Sequence, residues 1–265
     1  MTMSSAGTSC AVIVMNFSGV YDYERFASGP RIVQIDCRHL DGTDCYCDEQ
    51  GAAEIRQLIA PYPPEGIHFI DNGNHHYVTG FWMEKIREPF SLIVFDHHPD
   101  VQAPAWGPGL LSCGGWIANE IVRNPNLRNV LVVGPSQELI ESVLPSIRHR
   151  VKFFGERDVD AHPDWVRFSE EHIDTPVYIS IDKDVLSPQT VRTNWDQGHL
   201  GFGALQSHLR AILAHERVIG VDICGECSVL LDFAEEEKAT SQNDFVNTRL
   251  LALLKNGLPQ KKANQ

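Results

Sequence analysis

Positive charge is scarce in this sequence: 22 Lys and Arg stand against 35 Asp and Glu, a formal charge of −13, and no basic run occurs. A nucleic-acid backbone would be repelled, so no nucleic-acid partner is expected. Long hydrophobic runs are missing too. The apolar stretch 11–15 is far too short to cross a bilayer and has no basic segment before it, which argues against membrane insertion and secretion. Matched cysteine pairs are also absent. The 7 cysteines are an odd, scattered set, which points to a reducing, cytoplasmic setting rather than a disulfide scaffold. Cys45-Tyr46-Cys47 and Cys224-Gly225-Glu226-Cys227 could be halves of a zinc site, but zinc knuckles show matched CxxC pairs and only the second has that spacing.

Apolar material, by contrast, is ordinary in amount: hydrophobic residues make up 43% and charged residues 22% of 265 positions, enough for one large domain with a sizeable core. Short β-branched runs recur at 11–15, 31–36, 67–70, 92–96, 129–133, 151–154, 177–182 and 218–223. Several, such as Leu92-Ile93-Val94-Phe95, are apolar on both faces, as a strand covered by helices on each side must be. Between them, 48–59, 79–86, 116–123, 137–144, 204–215 and 244–254 carry apolar residues at helical spacing, for example Leu205, Leu209 and Leu213. The expectation is a single three-layer α/β/α domain over 1–265, with a mostly parallel sheet of about eight strands and a frayed tail from about 257.

Parallel sheets place ligands beyond the carboxyl ends of their strands. Three of those ends are rich in metal-capable groups: Asn72-Gly73-Asn74-His75-His76, Asp96-His97-His98-Pro99-Asp100 and Asp182-Lys183-Asp184. Alternate residues of an extended chain face one side, so Asp96, His98 and Asp100 share a face while His97 opposes them. Full extension would set Asp96 and Asp100 ~13 Å apart, too far for one centre, so the chain must curl at Pro99. Asp182 and Asp184 lie only ~6.6 Å apart along a strand. Asp96, Asp100, Asp182 and Asp184 would repel one another unless cations neutralise them, and two divalent ions bring +4. Oxygen-dominated ligation with two imidazoles favours manganese, with zinc, iron, nickel or cobalt as substitutes.

In this order on strand ends, DxHxD, SxDxD and a histidine just after a glycine resemble the ureohydrolase (arginase/agmatinase) family. The similarity runs over about 73–226. Its most specific piece is Ser180-Ile181-Asp182-Lys183-Asp184-Val185-Leu186-Ser187-Pro188, which departs from the family's SxDxDxxDP only at Ser187. The resemblance implies two Mn2+ ions, one held by His76, Asp96, Asp100 and Asp182, the other by His98, Asp96, Asp182 and Asp184, with Asp96 and Asp182 bridging. Strict register with the family's GGDH would select His75 instead, whereas divergent members with a GNxHY pattern select His76. In the family the paired ions activate a water that attacks a guanidinium carbon, with Asp100 in the catalytic set. A glutamate after a late strand grips the guanidinium; the matching stretch Asp222-Ile223-Cys224-Gly225-Glu226 makes Glu226 the candidate, with one residue extra. Asn194 and Trp195 fall where the family builds its pocket rim, and a tryptophan there can stack on a planar cation. Members of the family often assemble into homo-oligomers.

Two features weaken the transfer of a substrate. Between positions 101 and 148 there is no histidine where the family carries a proton shuttle, and the loop Gly109-Leu110-Leu111-Ser112-Cys113-Gly114-Gly115-Trp116 suggests a tight backbone approach instead. The strand running into Asp96-His97-His98 also mimics a DHH-type phosphoesterase. There, however, an acidic motif precedes the DHH, whereas Asp182-Lys183-Asp184 follows, and no basic groove for phosphate is present. A catalytically inactive, arginase-like binding protein is the other alternative. The expectation is a binuclear manganese hydrolase of linear C–N bonds in guanidino or amidine compounds, releasing urea.

Overall fold

The computed structural model describes residues 11–103, 110–160, 172–228 and 232–258. Among the described residues ten strands are formed: β1 (Val12–Asn16), β2 (Ile32–Asp36), β3 (Tyr46–Cys47), β4 (Gly66–Phe69), β5 (Phe90–Phe95), β6 (Leu111–Ser112), β7 (Leu127–Val133), β8 (Lys152–Phe154), β9 (Val177–Asp182) and β10 (Val218–Cys224). Eight join one sheet in the order β2-β1-β4-β10-β9-β5-β7-β8, every pair parallel, while β3 and β6 make a small antiparallel ribbon. The helices among the described residues are α1 (Glu49–Ile59), α2 (Val78–Met83), α3 (Trp116–Arg123), α4 (Gln137–Ser142), α5 (Pro145–Arg148), α6 (Glu156–Asp160), α7 (Phe202–His215) and α8 (Phe233–Gly257).

Side-chain alternation along the strands divides the core in two. Val12, Val14, Ile93 and Phe95 pack with Leu205 and Leu209 of α7 and Val246 and Leu250 of α8. Ile13, Met15, Leu92 and Val94 face the other way, onto Ile55 of α1, Phe81 and Trp82 of α2 and Trp116 of α3. Both faces are therefore dry, which is why these strands are apolar throughout rather than alternating. The three-layer architecture is the one expected.

Helix limits differ in places from the periodicity. α2 stops at Met83 rather than 86. α8 begins eleven residues before 244, at Phe233, where Asp232 caps it by accepting from the Glu235 amide. Its early turns are Glu-rich and give little apolar signal, yet Ala239, Asn243, Val246 and Asn247 continue one buried face. The helix holds through Gly257 and Leu258 is buried, so the expected fraying does not begin at 257; residues 259–265 lie outside the described ones.

Candidate metal centre

Strands β4, β10, β9 and β5 are adjacent at the middle of the sheet, so the segments leaving their carboxyl ends meet. After β4, Asp71 takes a left-handed conformation (φ 66°), and its carboxylate accepts from the amides of Phe17, Ser18 and Asn72. The Asn72 side chain then caps the 3-10 turn Gly73–His75, which delivers His76. A Cβ on Gly73 would stand 2.9 Å from Asp182 Oδ2 and 3.0 Å from Trp195 Cδ1, so only glycine lets this turn lie against both.

After β5 the chain curls as the spacing requires: Asp100 is left-handed (φ 51°), and its Oδ2 accepts from Trp116 Nε1 at 2.7 Å. His76 Nδ1 lies 3.1 Å from Asp96 Oδ2, 3.0 Å from Asp100 Oδ2 and 3.7 Å from Asp182 Oδ2. His98 Nδ1 lies 2.9 Å from Asp184 Oδ2 and 3.6 Å from Asp96 Oδ1. The ligand-type atoms of His76, Asp96 and Asp100 thus form one compact set and those of Asp96, His98 and Asp184 a second, with Asp96 common to both. All six of these proposed ligands line a cavity of about 230 Å³. His75 is elsewhere: it stacks on Phe17 at 4.1 Å, and burial holds its pKa down.

Burial and mutual repulsion shape the charge of these groups. Burial, with Asp184 and Asp96 adding repulsion, raises Asp182 to about 7. Burial and then Asp96 raise Asp184 to about 6. Burial raises Asp100 as well. Burial pulls His76 and His98 the other way, but it is outweighed: by Cys224, Asp100 and Asp96 at His76, and by Asp184 and Asp96 at His98. Buried carboxylates beside imidazoles are a donor set of oxygen and nitrogen that fits divalent metal ions.

Two of the residues singled out in the sequence lie off the cavity wall. Glu226 does not line the cavity: it is completely buried beneath it, paired with Lys183 Nζ and bonded by Asn247 Nδ2 at 2.7 Å. The extra residue after Asp222 is Gly225 (φ 92°), and it turns the chain under Asp182 so that Glu226 leaves on the far side. Asn194 also stays off the cavity wall, exchanging hydrogen bonds with Ser228 through both of its amide atoms. Trp195 does line the cavity, 40% exposed, edge-on to His98 at 5.9 Å, with Nε1 donating to Asn74.

Other groups escaped the sequence reading. Tyr46, 41% exposed, and Gln102 line the cavity, and Cys45 stands opposite Cys113 where β3 extends beside β6. The Gln102 amide donates to Gly114 O, and a Cβ on Gly115 would stand 2.9 Å from Gln102 O, so the glycine loop makes the expected close backbone approach; Gly109 lies outside the described residues. Asp196 Oδ1 sits 3.1 Å from His98 Nε2. On the other imidazole, His76 Nε2 meets Ser180 Oγ at 2.8 Å, and Ser180 Oγ donates to Asp222 Oδ1 at 2.6 Å. Such outer partners fix ring orientation; Ser180 belongs to the SxDxD motif and Asp222 opens the stretch that ends in Glu226, but neither motif signals this role. Among the described residues the two cysteine pairs do not come together in any set of three metal-capable groups.

Comparison with known proteins agrees with this arrangement. The Arginase family profile matches residues 72–250. An uncharacterized protein of Thermotoga maritima is 30% identical over 241 residues, which cover 91% of this chain and 88% of that one. Among solved structures, formimidoylglutamase from Bacillus subtilis has a TM-score of 0.65 at 15% identity, covering 97% of this chain and 90% of that one. Proclavaminate amidino hydrolase from Streptomyces clavuligerus gives 0.62 at 14%, covering 93% and 94%. An arginase-like protein of T. brucei in an oxidized form gives 0.60 at 15%, covering 100% and 94%. The architecture is therefore the arginase-like α/β fold. The chain belongs to the arginase family.

Proposed function

We propose that the protein is a binuclear metal-dependent hydrolase of linear C–N bonds, acting on a guanidino or amidine compound and releasing urea from a guanidino substrate. The observation that carries the reading is the pair of ligand triads that share Asp96 at the floor of an open cavity. His76, Asp96, Asp100 and Asp182 would hold one ion, and His98, Asp96, Asp182 and Asp184 the other, with manganese the metal favoured by this oxygen-rich set. When bound, the ions supply a Lewis acid and an activated water at neutral pH. Asp100, which lines the cavity beside His76, is the residue we assign to take up a proton there. Asp196 holds His98 from behind, and Ser180 with Asp222 holds His76. Trp195 and Tyr46 offer aromatic surface to a planar head group, and Gln102 offers neutral hydrogen bonds.

Removal of Glu226 from the cavity favours a second reading, in which the substrate is a neutral amide rather than a guanidinium. One experiment separates them. The manganese-loaded protein is screened for urea and ammonia release over guanidino, formimino and simple amide compounds. Turnover of guanidino or formimino compounds supports the first reading and turnover of amides alone the second. Full metal occupancy with no turnover of any class would leave an arginase-like binding protein.

A further inference from the structure

Resting on that binuclear reading, we propose that Cys224 is a sulfur ligand on the His76 side of the centre, making that position select a zinc-like ion over manganese. The placement follows from the ladder. Cys224 and Asp182 are direct register partners of the parallel strands β10 and β9, so their side chains stand side by side. Two residues earlier on the same face of β10, Asp222 backs Nε2 of His76 through Ser180, and Cys224, further along that face, has its sulfur within 4.8 Å of a ring nitrogen of the same histidine. Gly225 then turns tightly beneath: a Cβ there would meet Asp182 Oδ1 at 2.5 Å and Lys183 N at 2.6 Å.

The spacing is close to that of two ligands of one ion. Cys224 Sγ lies 3.1 Å from Asp182 Oδ2. A tetrahedral ion holding sulfur at about 2.3 Å and oxygen at about 2.0 Å would separate them by about 3.5 Å, so replacing the S–H donor by an ion needs the two atoms to part by only about 0.4 Å. The ligand atoms of Cys224, His76 and Asp182 lie within 4.8 Å of one another, and Cys224 is completely buried. In the metal-free protein its S–H donates to Asp182. On metal binding the S–H bond breaks, the proton leaves to water and a thiolate–metal bond forms, with no change of oxidation state. Thiolate is soft, so it shifts the preference of an otherwise oxygen-rich position toward zinc, iron or cobalt.

The test is cobalt substitution of the full chain. Wild type should bind two equivalents of Co2+ and develop a sulfur-to-cobalt charge-transfer band that saturates with one of them. Cys224→Ser should still bind two equivalents but lack the band, and should lose roughly tenfold in zinc affinity with little change for manganese. The band should survive in the Cys45→Ser/Cys113→Ser double variant, which keeps the proposal testable from wild type and this protein alone if Cys224→Ser does not fold. Two bound cobalt ions with no band in wild type, or a band that vanishes with Cys45 and Cys113, would overturn the sulfur ligand and leave the binuclear centre standing. Absence of cobalt binding altogether would overturn both.

Discussion

Between two proposed ligands sits a lysine whose side chain goes the opposite way. Lys183 is completely buried; its ammonium pairs with Glu226 and is held by Asn243 Oδ1 at 2.6 Å and Asn247 Oδ1 at 3.1 Å. Pinning residue 183 from below fixes the backbone from which Asp182 and Asp184 project above. Glu226→Gln removes the partner of a buried charge and should destabilise the fold by about 3 kcal/mol. Thermal melting checks this; an unchanged Tm together with a collapse of kcat/KM would return Glu226 to the substrate. The ligands themselves make a different prediction. Asp96→Ala and Asp182→Ala should lose both ions, because each carboxylate would serve both, while His76→Ala and Asp184→Ala should chiefly weaken one. Metal analysis of the four dialysed variants decides, and two retained equivalents in the bridging variants would refute the assignment.

At the scale of elements, the site depends on how closely turns approach one another. The Gly73–His75 turn lies between Asp182 and Trp195, and Gly73→Ala inserts a methyl into contacts of 2.9 and 3.0 Å. Trp195, at the exposed rim, can yield; Asp182, buried in the ladder, cannot. The expected result is weaker metal binding with a Tm only slightly lower, measured by metal titration beside melting. Metal affinity equal to wild type would show that the turn has slack. These approaches also mark where the sequence stops being readable. The inner strands of the sheet are legible because burial on both faces demands unbroken apolar runs, and the acidic segments after them because polar, metal-capable residues break those runs at their carboxyl ends. Where Glu226 lies is not legible in the sequence, because the effect of one inserted residue depends on Gly225's left-handed turn and not on composition. The start of α8 was missed for a related reason: its buried face uses Ala239, Asn243 and Asn247, small or polar groups whose role depends on Lys183 across the core.

For the molecule as a whole, stability, pH and metal are linked through the same carboxylates. In the metal-free fold Asp182 and Asp184 are raised to about 7 and about 6, whereas an unfolded aspartate titrates near about 3.9. As pH rises from about 4, the unfolded chain gives up these protons while the folded one keeps them, so the folded state binds more protons and loses stability up to about pH 7. His76 and His98, held protonated by neighbouring acids, act in the same direction. Their folded pKa values are raised, so their contribution is complete below about pH 6.5, the unfolded histidine value, and declines above it. Divalent ions reverse the slope, because they bind the deprotonated ligands and bind only the folded chain, contributing about 2.7 kcal/mol at a hundredfold excess over Kd. Melting curves of chelator-treated and manganese-loaded protein should therefore converge near pH 5 and separate progressively toward pH 8, the metal-free Tm falling as the loaded Tm holds or rises. A gap that does not change with pH would mean that the metal does not displace these protons. A metal-free protein that gains stability from pH 5 to 7 would mean that the four aspartates are not forced together, and the centre would have to be sought elsewhere.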